Sequence, residues 1–544
     1  WDLVEPMATC ASQALLTHAR RQLQQLAEEA GSASEAAAIL GDAPPPRPPP
    51  TSGLQERVMR LMVALSDTGE LLGCQACLVV NGKVLVDAAA GRMGPVNPRP
   101  VRTDTLFQLY GAGSALLSTI ALREVARGAL RLDAPVAAAW HDFGAGGKAD
   151  LTLAQLLNHQ TGLSVTGLPP SARLSQLADL DSMLKVVAGA EASAEEAAEA
   201  KGGSASHEGL PWGWSLAGAV QESSGMGLEQ LLDKRIRTPL GLEGELAFRV
   251  QPDEQEGRCA TISAVALMKE AGMDLGEMLS GGGGGDSGAG AAEASSTTTG
   301  SASNGNGEGG NGEAEAPMSP LKKMVSSGKT VGTPAPAAAG AEATSPGGTT
   351  ASAGASAIEW ERFEGVGQLV SPATLNMVRL RASLLPGVSA HASAHGLAQF
   401  YNALGSGRLI PPALLAQAQQ LSCAGLGPAG EPVRYGLGFQ LGTCAEVGPL
   451  QRVTHNVALV NNAVGLVNDA VTAVRARVGE EAGSSAKVRV IGHAGVGGTV
   501  GLCVPDKRVA VAVTVSRLSG ERKATKRLLE CLLAEVGLAA PVGL

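Results

Sequence analysis

Apolar positions recur at helical spacing in two places near the start of the chain. Leu15, Leu16, Leu23 and Leu26 fall on roughly one face of Met7–Ala30, and Gly31 stops the run, which predicts a helix. Leu54, Val58, Leu61, Met62 and Leu65 form a second stripe, with Thr51-Ser52 ahead of it as an N-cap. The period then changes. Gly73–Val80 and Lys83–Ala88 are apolar runs separated by Asn81-Gly82, the strongest short signal for a β-hairpin. Ala112–Arg127 returns to helical spacing with Leu116, Leu117, Ile120, Ala121 and Val125. It reads as a largely buried helix ended by Gly128. The chain closes on strand, strand, helix over Thr499–Cys503, Val509–Val515 and Arg522–Val536.

Three stretches break these patterns. Gly41–Gly53 holds six prolines and reads as an extended linker. Glu191–Ser206 is a small Ala/Glu/Gly/Ser insertion. Gly281–Ala357 runs for 77 residues without an aromatic residue or an isoleucine and with a single leucine. Such a segment cannot bury enough surface to offset its chain entropy and is expected to be disordered. Ser319-Pro320-Leu321-Lys322 inside it has the form of a proline-directed phosphorylation site, a short pattern that also arises by chance. The expected organisation is a helical tail over 1–40, a linker over 41–53, and one domain in two parts, 54–280 and 358–544, interrupted by 281–357. No internal repeat is visible.

Composition narrows the function classes. Of 544 residues, 44% are hydrophobic, enough for a large core, and the 72 glycines point to flexible segments. Lys+Arg 42 against Asp+Glu 51 gives −9 with no basic stripe, which argues against nucleic acid and against a polybasic membrane anchor. No apolar run reaches 18 residues, so no bilayer-spanning helix is expected. Eight irregularly spaced cysteines do not read as a disulfide framework. A reducing, intracellular compartment is favoured, with a plastid or mitochondrion among the candidates. The chain starts at Trp1 rather than at a methionine, which leaves open whether it is a fragment, so a missing targeting signal decides nothing.

Several motifs then follow in order. The hairpin leads to Thr103-Asp104-Thr105-Leu106-Phe107 ahead of the buried helix. After the helix comes Gly128-Ala129-Leu130-Arg131-Leu132-Asp133-Ala134-Pro135-Val136, then Leu156-Leu157-Asn158-His159-Gln160-Thr161-Gly162-Leu163. Downstream lie Ala390 to Pro412, Tyr435-Gly436-Leu437-Gly438-Phe439 and Ile491-Gly492-His493-Ala494-Gly495. From about residue 54 onward the chain resembles the serine β-lactamase and penicillin-binding-protein superfamily, in its class C and esterase-like branch. The resemblance implies an α+β, β-lactamase/transpeptidase-like fold. An antiparallel sheet built from both chain ends would carry terminal helices on one face and a mostly helical lobe on the other. A closer resemblance is to algal and plant proteins that fuse a UbiB-type atypical kinase to such a domain. Asp2-Leu3-Val4-Glu5-Pro6 and the helix behind it look like that kinase's tail, which implies a kinase partner upstream in the same polypeptide. The kinase's own phosphate- and metal-binding motifs are not in this chain.

The resemblance also implies a catalytic set, and this chain departs from it. Hydrolytic members place Ser-x-x-Lys after Thr-Leu-Phe; the serine attacks the carbonyl and the lysine one turn later takes its proton. Here those positions are Gly111 and Ser114, and no lysine lies between Lys83 and Lys148. Tyr-x-Asn should fall just before the helix Gly213–Glu222, where Gly209 and Pro211 stand, and no tyrosine lies between Tyr110 and Tyr401. Lys/His-x-Gly survives as His493-Ala494-Gly495. The resemblance therefore implies a catalytically inactive homologue acting as a binding or regulatory module for an unknown small ligand. Its pocket would be lined by Tyr110, Gly111, Ser114, Trp212, His493 and Gly495. A serine hydrolase with a non-standard nucleophile and a structural remnant of a kinase fusion are the rival readings.

Other patterns carry less. Ser182-x-x-Lys185, Ser319-x-x-Lys322, Ser326-x-x-Lys329 and Ser484-x-x-Lys487 fit the bare motif, but none follows Thr-Leu-Phe. Cys74-x-x-Cys77 has half of a zinc spacing inside a predicted strand, where residues three apart face opposite sides. His391 and His395 would share a face if their segment were helical, but with no acidic partner between them. His159 reads as a fold residue bonded to backbone in a turn. No metal and no cofactor is implied.

Overall fold

The computed structural model describes residues 50, 52–163, 174–193, 204–206, 210–251, 255–270, 372–426, 432–447 and 486–544. The expectations for Met7–Ala30, for most of the proline-rich linker and for Gly281–Ala357 lie outside these residues. The longer helices are α1 (Gly53–Asp67), α2 (Ser114–Ala126), α3 (Leu180–Gly189), α4 (Leu210–Ser224), α5 (Ala394–Gly405) and α6 (Lys523–Glu535). The strands are β1 (Gly73–Val80), β2 (Lys83–Gly91), β3 (Phe107–Gln108), β4 (Ser204–Ser206), β5 (Leu246–Ala247) and β6 (His391–Ala392). They continue as β7 (Cys423–Leu426), β8 (Pro432–Gly436), β9 (Phe439–Ala445), β10 (Lys487–Ala494), β11 (Val500–Val504) and β12 (Val509–Val515).

Local signals explain the first elements. The Ser52 hydroxyl accepts the Gln55 N–H at 3.0 Å and starts α1, whose apolar stripe is buried. Asn81 and Gly82 both have positive φ, 52° and 78°, as a two-residue hairpin turn between right-twisted strands requires. Among the described residues nine strands then join in one sheet, in the order β2-β1-β12-β11-β10-β9-β8-β7-β4. All of its pairings are antiparallel except β4 with β7. The first hairpin meets the last strands, Cys74 opposite Val515 and Val80 opposite Val509, so both chain ends build one sheet. The parallel strand β4 lies within Glu191–Ser206, which the sequence pattern marks only as an insertion.

Strand alternation decides what covers each face. Val509, Val511, Val513 and Val515 of β12 join the core under α1 and α6, whereas Ala510 and Ala512 face the lobe side, where α5 packs. Full burial of each such valine is worth about 1.5–3 kcal/mol. Cys74 belongs to the first core and Cys77 to the second, so the two thiols sit on opposite faces of β1. The lobe core gathers α2, α3 and α4 with Trp140 stacked on Phe143, ring centroids 5.1 Å apart. A small sheet of β3, β6 and β5 lies ahead of α2. Among the described residues no helix is long and apolar enough to cross a membrane.

His391, in the middle strand of that small sheet, is fully buried, and its Nδ1 donates to the Ser389 carbonyl at 2.6 Å. Its Nε2 has no hydrogen-bond partner among the described residues. Burial, with some help from Arg381, lowers its pKa to about 3. The folded state thus holds it neutral while the unfolded chain protonates it near pH 6.5, so stability is lost as pH falls from about 6.5 towards 3. At pH 5 the loss is expected to be about 2 kcal/mol relative to pH 7. Urea midpoints of the natural chain and His391→Asn at both pH values check this; parallel losses in the two proteins would remove His391 as the cause.

Candidate active site

The site forms where the chain leaves β3. Tyr110 takes φ +50°, a left-handed conformation that a tyrosine adopts only at some cost. That bend starts a tight 3₁₀ turn over Tyr110–Gly113, which runs into α2 at Ser114. The helix predicted from Ala112 therefore begins two residues later, after a narrower first turn. From Asp104 to Leu122 every residue is buried except Gly111, which is partly exposed. A Cβ added to Gly111 would meet only the Ala494 carbonyl, at 3.4 Å. Position 111 is thus a partly exposed opening with space for a Cβ that this sequence does not supply.

The end of β10 closes one side of that opening. A Cβ on Gly495 would sit 2.3 Å from the Leu109 carbonyl, so only glycine lets the strand end approach the turn before Gly111. His493 is buried, and its Nε2 donates to the Gly438 carbonyl at 2.7 Å. The carbonyl can only accept, so Nε2 is the protonated nitrogen. The Ser118 hydroxyl donates to the same carbonyl at 2.9 Å, and the Asn158 amide oxygen accepts the Gly438 N–H at 3.3 Å. The Gln440 side chain accepts the Ala494 N–H at 2.8 Å. This ring nitrogen of His493 is directed at a main-chain peptide.

Ser114 is buried one turn beyond Gly111, with Leu117 and Ser118 at the next positions on its side of the helix. Pro211 is buried in α4 and brings no donor; Gly209 lies outside the described residues. Trp212 is buried and stacks on His159 at 4.8 Å, and His159 in turn lies 4.8 Å from the Tyr435 ring. Tyr435 is 6.5 Å from His493, and Phe439 6.3 Å. The structure therefore gathers Gly111, His493 and Gly495 about the end of β10 and links Trp212 to His493 through two rings. Tyr110 adjoins the opening, and burial pushes its hydroxyl well above the usual tyrosine range.

Other candidate groups are committed elsewhere. Lys148 binds the Ala145 carbonyl at 2.7 Å and the Ala190 carbonyl. The Ser182 hydroxyl donates to Asp179 at 2.6 Å, and Lys185 is exposed. His391 and His395 do not share a helix: the Ser393 hydroxyl accepts the Gly396 N–H at 2.9 Å and starts α5 between them. Among the described residues no group of three His, Cys, Asp or Glu is placed to hold a metal ion. The seven described cysteines are free and buried. Burial holds Cys259 and Cys444 at about 12 and Cys531 at about 11, far above where a thiolate nucleophile operates.

Ser118, Asn158, Gly438 and Gln440 are site neighbours that the sequence reading does not mark as such. Asn158 and Gly438 lie inside motifs already noted, whereas Ser118 and Gln440 carry no signal until the chain is folded.

Comparison with known proteins extends this picture. Esterase/beta-lactamase LipL of Mycobacterium tuberculosis (strain ATCC 25618 / H37Rv) is 27% identical over 188 residues, 34% of this chain and 42% of LipL. Esterase EstB of Burkholderia gladioli is 31% identical over 193 residues, 32% of this chain and 46% of EstB. The chain thus spans less than half the length of either curated relative. A family VIII carboxylesterase has the same fold, with TM-score 0.56 and 18% identity over 89% of this chain and 98% of its own. A penicillin-binding protein homologue from Caulobacter crescentus superposes with TM-score 0.54, 18% identity and the same coverage. The family model described as Beta-lactamase matches residues 58–534, from within α1 to the last turn of α6. The hairpin closed by the final strands, the helix that starts beside Gly111 and the strand ending in His493-Ala494-Gly495 all fall inside that span, and the chain belongs to the beta-lactamase family.

Proposed function

We propose that this chain is a non-catalytic member of its family, a binding or regulatory module in which the nucleophile and its proton acceptor have been lost. The opening at Gly111 supports this reading most directly, because a Cβ there would meet only the Ala494 carbonyl and the sequence supplies no side chain. Loss of a catalytic serine costs on the order of 10⁶ in kcat, roughly 8 kcal/mol of barrier. Binding and backbone donors alone leave about 10³–10⁴ over water. The ligand would enter beside Gly111 and meet Tyr110 and the end of β10. The resemblance of Asp2–Pro6 to the tail of a UbiB-type kinase makes such a kinase, carried by the same polypeptide, the natural target of regulation.

The esterase names of LipL and EstB favour a second reading, an ester hydrolase with a different nucleophile. Intact mass after incubation with a fluorophosphonate and with a penicillin separates the two. The natural chain is expected to gain no adduct. A stoichiometric adduct would overturn the non-catalytic reading, and peptide mapping would then name the nucleophile.

A further inference from the structure

A cavity of about 450 Å³ lies at the far end of the sheet from Gly111. Strand register places it there. Ala494 pairs with Val500 and Val500 with Val513 at one end, whereas Val504, Val509 and Val80 meet at the other. α5 spans the same distance. Its first amide, Ala394 N–H, is held by the Gln75 side chain, and at its last residue, Gly405, an added Cβ would lie 3.0 Å from the Cys503 sulfur. The cavity is bounded by the Asn81 turn, by Arg408 just beyond α5 and by Arg508 just before β12, over a floor that includes Tyr401, Cys503 and Val509.

Charge is what distinguishes this cavity. The chain as a whole carries −9. In the turn that leads to β12, Asp506 faces Arg489 at 3.9 Å and Lys507 pairs with Glu446. Those charges cancel locally, whereas Arg508 and Arg408 form no ion pair and no side-chain hydrogen bond among the described residues. Arg408 is not required to cap α5 either. The carbonyls of Asn402, Ala403 and Leu404 already accept the N–H groups of Ser406, Arg408 and Gly407. Two exposed guanidinium groups therefore flank one concavity with a buried apolar floor. The turns that carry them are tied together, because Asn81 N–H donates to the Arg508 carbonyl at 2.9 Å.

We propose that this cavity binds a small ligand with an apolar body and an anionic group, a carboxylate or a phosphate, held by Arg408 and Arg508. Guanidinium forks match both anions bidentately and lose little hydration in doing so. The volume is in the range of small-molecule sites. The anion would sit between the two forks with the Asn81 side-chain carboxamide beside it, and the apolar body would cover Val509 and Cys503. The site is independent of the opening at Gly111 and of the chemistry proposed there.

Calorimetric titration of the full chain with phenyl phosphate, benzoate and inorganic phosphate tests this. At least one aromatic anion is expected to bind more tightly than inorganic phosphate. Arg408→Ala and Arg508→Ala are each expected to weaken it about tenfold. Which aromatic anion binds tells phosphate from carboxylate. Both arginines are exposed, so unchanged urea midpoints will show that the variants fold. Gly111→Ser is expected to leave this binding as it is. Absence of binding up to about 10 mM for all three probes overturns the proposal. So does binding that persists undiminished in the Arg408→Ala/Arg508→Ala variant.

Discussion

The double variant Gly111→Ser/Ser114→Lys is expected to take up one fluorophosphonate per chain where the natural protein takes up none. The backbone already suits the change. A Cβ at position 111 meets a single carbonyl, that of Ala494, at 3.4 Å, so the first side-chain atom needs no shift of β10. Positions 111 and 114 are three residues apart on one turn, so the introduced lysine is on the same side as the serine. Gly111→Ser alone is expected to react slowly, because the hydroxyl has no base. The lysine should add about 10²–10⁴ to the labelling rate. On the non-catalytic reading steady turnover is not expected to follow, since Gly209 and Pro211 stand where the resemblance implies tyrosine and asparagine. The lysine enters a buried position, and some stability will be lost. Labelling rates by intact mass, with urea midpoints beside them, give the result. A folded double variant that stays unlabelled would mean that the opening is misaligned for acyl chemistry, and the scaffold reading would gain.

Arg235→Ala is expected to be the most destabilising single change at a charged residue. Arg235 Nε donates to Glu124 Oε1 at 2.5 Å, and both side chains are buried. Glu124 lies on α2 and Arg235 on a π-helical turn over Asp233–Arg237, so the pair ties the helix behind Gly111 to the rest of the lobe. Truncating one partner leaves a carboxylate in the core. Such losses run to 3–5 kcal/mol, and about 3 is expected here because exposed Arg127 remains 3.8 Å from Glu124. Replacing both partners, Glu124→Leu with Arg235→Met, should restore most of that loss. The four urea curves of a double-mutant cycle measure it. A loss below about 1 kcal/mol in the single variant would show that Arg127 or water takes over the charge.

The elements legible in the sequence are those with local causes. The α1 stripe and its serine cap, the Asn-Gly hairpin and the closing strand-strand-helix need only nearby residues to define them. The elements not legible depend on partners far along the chain. Ser204–Ser206 has no apolar alternation and becomes a strand only because β7 offers it an edge. His391 falls in a strand because β3 and β5 flank it and Ser393 starts the helix after it. The site divides in the same way. Gly111 and Ser114 follow from the resemblance alone, as the positions of Ser-x-x-Lys after Thr-Leu-Phe. The peptide of Gly438, held by Ser118, Asn158 and His493, draws on four separated segments, three of them in noted motifs, and only folding brings them together.

The pairing of the first hairpin with the last strand has a consequence for synthesis. Val80 cannot meet Val509 until about 430 further residues have been made, roughly 20–90 s of translation. Throughout that interval β1 has a free edge beside β2, and for most of it the strand also lacks α5, which packs on it in the folded domain. Such an edge readily pairs with other nascent chains. The domain therefore cannot mature from its N-terminus onward, and its yield in a cell will depend on how well that early hairpin is shielded until the ribosome delivers β12.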